Sequence, residues 1–374
     1  MKGSELAGLR ILIAGGGTGG HIIPALAVAR ELQARYAAEV LFVGTARGLE
    51  SGLVPKAGFP LRLIQVGPLK NVSLATRLRT LIELPQSYFE CRRLMEEYKP
   101  GAALGVGGYA SGPAMAAAIL LKVPSMILEP NAMPGLANRL VGKHVQAAAL
   151  NFASAARWFR NPEVTGIPVR PEFFSLSAAT GAPHLLVFGG SQGARLFNQH
   201  LPAIISALLD AVPGLTVLHQ SGARHFETTL VAYRATGADP ARWRVNAFLD
   251  DMPARVGQAH LVLSRSGAST VAELTAAAKP AVLVPFAAAA DEHQRRNAEV
   301  MQNAGAAVML GEKDLATPAL LLSTLRSLLV APDRLASMAQ AARAQSHPGA
   351  AERIAARLME LAGVVPESLG PSAP

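Results

Sequence analysis

Apolar residues in this chain fall into short unbroken runs. Between them lie longer stretches in which polar and apolar positions recur at helical spacing. Residues 10–15, 40–44, 102–105, 125–128 and 147–150 form such runs in the first half. Residues 184–189, 216–220, 260–264, 281–285 and 307–310 do so in the second. Runs this short, without alternation, predict strands buried on both faces. The stretches 24–36, 194–211, 269–278, 291–304 and 318–329 predict helices. Strands separated by helices of this length imply parallel sheets, so the expected fold class is α/β and doubly wound. Residues 10–36 run strand, Gly-rich loop, helix, and residues 184–211 repeat that order. Two similar Rossmann-like domains facing each other are expected. Residues 168–183, rich in Pro, Ser and Ala, predict the linker, and the Pro-containing segment 366–374 a disordered tail.

Composition narrows the class. At 374 residues, 50% of them hydrophobic and 16% charged, the chain has material for two buried cores and is not a disordered polymer. A single cysteine, Cys91, excludes an internal disulfide and any cysteine-built metal cluster, and predicts a reducing compartment. No secretory signal is expected, because Lys2, Glu5 and Arg10 interrupt the start and the apolar run after them ends in glycines. Residues 100–121 carry no charge and are long enough to span a bilayer. Five glycines and Pro113 within 101–113 instead favour a buried strand, a glycine loop and an Ala-rich helix.

Charge is distributed unevenly. Residues 1–170 hold 19 Lys/Arg against 10 Asp/Glu, and residues 171–374 hold 16 of each, so the whole net charge of +9 lies in the first half. A one-sided excess predicts an anionic partner. With 5% aromatics there is little surface on which bases would stack, which places nucleic acid behind a phosphorylated substrate or an anionic membrane.

The candidate chemistry sits where runs meet helices. Gly15-Gly16-Gly17-Thr18-Gly19-Gly20-His21 follows the first strand and satisfies G-x-G-x-x-G. Such a loop turns backbone N–H groups and a helix N-terminus toward an anion. The acidic residue that a dinucleotide site expects after the second strand is missing, where Thr45, Ala46 and Arg47 stand instead. NAD is therefore disfavoured and NADP left open. His21 is a candidate general base, or a residue that caps the loop. The run 189–195, GGSQGAR, repeats the arrangement with Ser191. The run 264–274, SRSGASTVAEL, offers a helix start at Ala268, Ser269 and Thr270, with Glu273 about one turn further in. A carboxylate there suits a ribose diol, or is a solvated first-turn Glu. Residues 105–113 with Glu129-Pro130-Asn131, and residues 291–297 with Gln294, complete the polar groups expected after strands. No P-loop, nucleophile elbow or zinc-like His/Glu spacing occurs.

Taken together, GGGTGGH at 15–21, GVGGYASGP at 105–113, GLAN at 135–138, PVR at 168–170, GGSQGAR at 189–195, HQSG at 219–222, FLDDM at 248–252, SRSGASTVAEL at 264–274 and DEHQRRNA at 291–298 resemble one family. It is that of the undecaprenyldiphospho-muramoylpentapeptide β-N-acetylglucosaminyltransferases, within glycosyltransferase family 28. The resemblance implies the GT-B fold: a domain over 1–170, a UDP-GlcNAc domain over 171–350, and a last helix within 351–365 packing back on the first. It implies inverting GlcNAc transfer from UDP-GlcNAc to the C4 hydroxyl of the lipid-linked MurNAc-pentapeptide, lipid I, with no obligatory metal and no cofactor. By motif, Thr18, Gly19 and Gly20 would serve the diphosphate and sugar. Asn131, Arg170, Ser191, Leu249, Ala268, Ser269, Thr270, Val271, Ala272, Glu273 and Gln294 would bind UDP-GlcNAc, with Leu249 backbone reading uracil and Glu273 the ribose. His21 would be the base. The implied location is the cytoplasmic face of the bacterial cell membrane, where residues 68–82, with Lys70, Arg77 and Arg79 among apolar residues and no acid, suit an anionic surface. An ordinary amphipathic helix reads the same way. The chain departs from the family at Leu128 and Pro130, and at the four alanines 287–290. A UDP-GlcNAc epimerase of the same fold and an NADP-dependent oxidoreductase are the competing readings.

Overall fold

The computed structural model describes residues 8–67 and 73–364; the tail expected to be disordered, 366–374, and Lys70 lie outside them. The chain divides into two compact units, Met1–Pro168 with Gly349–Pro374, and Val169–Pro348.

In the first unit the described strands are β1 (Arg10–Gly15), β2 (Glu39–Gly44), β3 (Leu61–Leu63), β4 (Ala102–Gly107), β5 (Ser125–Glu129), β6 (Ala147–Leu150) and β7 (Pro162–Val164). They pair in parallel in the order β3-β2-β1-β4-β5-β6-β7. Ile11, Leu12, Ile13 and Ala14 are fully buried, as a central strand covered on both faces requires. The apolar run at 100–121 is β4, a glycine turn and the helix Ser111–Leu120. Among the described residues no helix is long and apolar enough to cross a membrane. The helix Leu74–Tyr98 contains most of the basic-apolar stretch, with Ile82 78% exposed.

The second unit carries β8 (His184–Phe188), β9 (Thr216–Gln220), β10 (Trp243–Asn246), β11 (Leu261–Ser264), β12 (Ala281–Leu283) and β13 (Ala307–Met309), all parallel, in the order β10-β9-β8-β11-β12-β13. In each unit the strand order reverses once, between β1 and β4 and between β8 and β11. Ligands of open α/β sheets bind beyond the carboxyl ends of strands at such switch points. Three glycine-rich motifs and the run SRSGASTVAEL follow these four strands.

Two local expectations are corrected. The first helix begins at Gly19, not residue 24, and carries Pro24 inside it, so His21 stands on the helix. The helix expected over 194–211 is two, Arg195–His200 and Pro202–Ala211, because Pro202 has no N–H to continue the ladder. The boundary between the units falls at Pro168/Val169, where the segment expected as the linker begins, and Phe173 in the short 3₁₀ turn Pro171–Phe173 is fully buried. The last helix, Ala350–Leu361, packs on the helix Gly19–Tyr36 of the first unit. Ile354, Ala355, Leu358 and Met359 line its buried face, and Arg353 donates to the Thr165 carbonyl at 2.6 Å.

Candidate functional site

In the first unit the loops after β1 and β4 interlock. Gly16 N–H donates to the Gly107 carbonyl at 3.2 Å. Gly108 has φ +81°, and a Cβ there would overlap the Gly16 carbonyl, so only glycine lets the two backbones meet. Thr18 is the extended residue before the helix, and Gly19 and Gly20 open its first turn, where N–H groups lack intrahelical partners. His21 Nδ1 lies 3.2 Å from the Gly16 carbonyl oxygen and 3.3 Å from Thr18 Oγ1. A carbonyl only accepts, so Nδ1 carries the proton in that bond and the neutral ring has Nε2 as its basic nitrogen. The Nε2 edge faces Gly107, 3.1 Å from where a Cβ would stand, and Asn138 Nδ2 approaches the same point to 3.5 Å. The exposed side chains of Ile23 and Leu49 border Gly19.

Two buried carboxylates support these loops. Glu129, at the end of β5, accepts from Asn131 N–H (2.9 Å) and Nδ2 (3.3 Å), Gly135 N–H (3.2 Å) and Asn138 Nδ2 (2.9 Å). Burial pushes its carboxyl up to about 7, against the pull of those donors. Asn131 is thus engaged within the first unit. Leu128 is buried in β5, and Pro130 offers its carbonyl to Asn151 Nδ2 at 3.2 Å. Glu50, 1% exposed, reaches under the glycine loop to Gly17 N–H at 2.7 Å and Thr45 N–H at 2.8 Å.

In the second unit the loop after β8 folds against residues 221–222, where Gly193 and Gly222 permit a backbone contact that any Cβ would block. Ser191 is exposed on this loop. Its carbonyl is 3.4 Å from Gln220 Nε2, which also reaches the Ala247 carbonyl at 3.4 Å, two residues before the buried Leu249. After β11 the helix Ala268–Ala276 starts at Gly267, with Ser269, Thr270, Val271 and Ala272 in its first turns. Ser269 Oγ is buried and has no hydrogen-bond partner among the described residues. Glu273 is partly buried, and its Oε1 lies 3.7 Å from Arg170, whose guanidinium stacks over Phe173. Burial raises the Glu273 carboxyl to about 7, while Arg170 lowers it. Gln294 Oε1 accepts Phe286 N–H at 3.0 Å, and its carbonyl accepts Ser266 Oγ–H at 2.8 Å. Asp291 and Glu292 before it both adopt φ +52°, unusual for residues with a side chain.

The structure therefore gathers Thr18, Gly19, Gly20 and His21 with Asn138 in the first unit. In the second it joins Arg170 to Glu273 and Ser191 to the Leu249 loop, and ties Gln294 to the helix start. Sequence reading passed over Glu50, Asn138, Gln220 and Arg265. Arg265 donates to the Val284 and Pro285 carbonyls, pairs with Glu312 at 2.7 Å and lies between Phe197 and Phe286. Asn138, Gln220 and Arg265 lie within the motifs at 135–138, 219–222 and 264–274; Glu50 lies in none of them. Among the described residues no three His, Cys, Asp or Glu are placed to hold a metal ion.

Residues 11–150 match the family model for the glycosyltransferase family 28 N-terminal domain, and residues 184–354 that for its C-terminal domain. The UDP-N-acetylglucosamine–N-acetylmuramyl-(pentapeptide) pyrophosphoryl-undecaprenol N-acetylglucosamine transferase of Anaeromyxobacter dehalogenans (strain 2CP-C) is 45% identical over 360 residues, 94% of this chain and 93% of that protein. The crystal structure of Acinetobacter baumannii MurG superposes with a TM-score of 0.81 at 28% identity, over 94% of this chain and 99% of the other. That of a Listeria monocytogenes protein described as a UDP-N-acetylglucosamine 2-epimerase reaches a TM-score of 0.64 at 14% identity, over 95% and 96%, a likeness of fold alone.

Proposed function

Because the chain belongs to glycosyltransferase family 28, we propose that it transfers GlcNAc from UDP-GlcNAc to the C4 hydroxyl of undecaprenyl-diphospho-MurNAc-pentapeptide, giving lipid II and UDP. The observation that carries this reading is similarity to the named transferase over nearly the whole chain. The site geometry supports it. Glu273 accepts bonds from the ribose diol, the backbone at Leu249 reads uracil, and Asn131 and Gln294 contact the sugar nucleotide. The diphosphate meets Arg170, the Ser191 loop and the N-terminus of the helix Ala268–Ala276, whose aligned N–H groups favour negative charge. Ser269 Oγ, buried and unpaired, is a donor that a phosphate oxygen would satisfy.

Thr18, Gly19 and Gly20 serve the diphosphate and sugar, and the apolar Ile23 and Leu49 beside Gly19 suit a lipid-linked acceptor. His21 Nε2 takes the proton of the C4 hydroxyl as its oxygen attacks the anomeric carbon. The bond from that carbon to the diphosphate oxygen breaks with inversion, and the developing charge falls on the helix N-terminus and Arg170. The chain works as a peripheral protein at the cytoplasmic side of the bacterial cell membrane, attracted by its anionic surface. An NADP site fits less well, because Glu50 occupies the Gly17 N–H that a dinucleotide loop would offer.

Labelled GlcNAc transfer to a short-chain lipid I analogue, with EDTA present, tests the reading. Product is expected, and His21→Ala should lower kcat by about 10²–10⁴-fold with little change in UDP-GlcNAc binding. Absence of both product and UDP-GlcNAc binding would refute the assignment. Near-wild-type turnover of the variant would remove His21 from the chemistry.

A further inference from the structure

The carboxylate of Glu50 has no part in the chemistry above, yet it is almost fully enclosed beside the loop that carries His21. It begins the short helix Glu50–Lys56 and is 1% exposed. Oε1 accepts both Thr45 N–H (2.8 Å) and Thr45 Oγ–H (2.9 Å), and Oε2 accepts Gly17 N–H (2.7 Å). A Cβ on Gly16, Gly44 or Gly48 would overlap this side chain, so three glycine backbones wall it in.

The Gly17 N–H and the Gly16 carbonyl are the two ends of one peptide group. In a trans peptide they point in opposite directions. The N–H end is held by Glu50, and the carbonyl end lies 3.2 Å from His21 Nδ1. The chain of contacts runs carboxylate, peptide, imidazole. Hydrogen bonds in series polarise one another, so an anionic acceptor at the N–H strengthens the carbonyl as an acceptor for Nδ1–H. It also fixes the plane of a peptide that would otherwise turn, since both its residues are glycine.

We propose that Glu50 is a positioning residue for His21: through the Gly16–Gly17 peptide it holds the imidazole with its proton on Nδ1 and its basic lone pair on Nε2. The inference rests on the reading of His21 as the base. Within it, Glu50 acts as the carboxylate of a relay whose middle member is a backbone peptide instead of a side chain. Gln at this position would supply one acceptor oxygen where two backbone N–H groups need one each, and would turn its NH₂ against the other.

The test is ¹⁵N NMR of the full chain with labelled histidine, the His21 signals being assigned by their loss in His21→Ala. In the wild type, neutral His21 is expected with Nδ1 protonated and Nε2 bare. In Glu50→Gln that tautomer should lose its dominance. kcat should fall by about 10–100-fold, the scale seen when a metal-bound histidine loses the partner that orients it, with KM for UDP-GlcNAc unchanged. A merely structural role would lower the folded fraction without moving the tautomer. An Nε2-protonated His21 in the wild type would overturn the proposal even if Glu50→Gln failed to fold. So would a folded Glu50→Gln with the wild-type tautomer. Full turnover by His21→Ala would instead remove the base reading, an outcome separate from the tautomer measurement.

Discussion

Glu273 and Glu129 are both pushed by burial to about 7, yet they are set for different work. Glu129 spends its oxygens on Asn131, Gly135 and Asn138, which makes it the internal brace of a loop. Among the described residues Glu273 pairs with Arg170 at 3.7 Å, leaving acceptor capacity for a ligand. To receive two ribose hydroxyls, the role proposed for it, it must be ionised. With its carboxyl near 7, the ionised fraction falls about tenfold per pH unit below that. UDP-GlcNAc, whose phosphates are both esterified, does not titrate in this range. Its affinity should therefore be about 30-fold weaker at pH 5.5 than at pH 8, and the dependence should vanish in Glu273→Gln. Calorimetric titration at the two pH values checks this, and a wild-type affinity that ignores pH would take Glu273 away from the ribose. Glu273 was legible in the sequence because it sits one turn into a helix that a small-residue motif announces. Glu50 was not, since its partner Gly17 is 33 positions away and only the packing of two loops brings them together.

At the scale of elements, strands buried on both faces were readable as apolar runs, and the corrections fell at edges and breaks. β3, β7 and β10 were missed because edge strands have no need of continuous apolar sequence. Leu63 is exposed, β7 opens with Pro162, and β10 carries Arg244. The last helix is the clearest amphipathic element. Its buried stripe, Ile354, Ala355, Leu358 and Met359, closes over the helix that carries His21. Leu358→Ala should cost about 2–5 kcal/mol, as for other fully buried leucines, whereas Arg357→Ala, which loses a part-exposed pair with Glu360, should stay within about 1 kcal/mol. Urea denaturation of the two variants makes the comparison. Equal losses would mean that this helix is not clamped where the structure has it. Because the helix lies against Gly19–Tyr36, the Leu358 variant should also lose transferase activity in proportion to its unfolded fraction.

For the molecule as a whole, the asymmetry of charge belongs with the proposed acceptor. The first 170 residues carry the entire excess of +9, and they include His21, the base proposed to act on the lipid-linked acceptor. Each Lys or Arg near an anionic membrane adds about 1 kcal/mol of attraction. That attraction reaches about 30 Å at 0.01 M salt but only about 3 Å at 1 M. Binding to vesicles containing anionic phospholipid should therefore fall steeply between those concentrations, and binding to neutral vesicles should be weak at both. Replacing Lys70, Arg77 and Arg79 together with Gln should remove about 3 kcal/mol, roughly a hundredfold in affinity, at the lower salt. Exposed apolar side chains such as Ile82 and Phe89, on the helix that also carries Arg77 and Arg79, would then supply a part that salt does not screen. Vesicle co-sedimentation separates the two contributions. A triple variant that binds anionic vesicles as well as the wild type would shift the attachment from basic residues to that apolar surface. Tight, salt-independent binding to neutral vesicles would do the same for the protein as a whole.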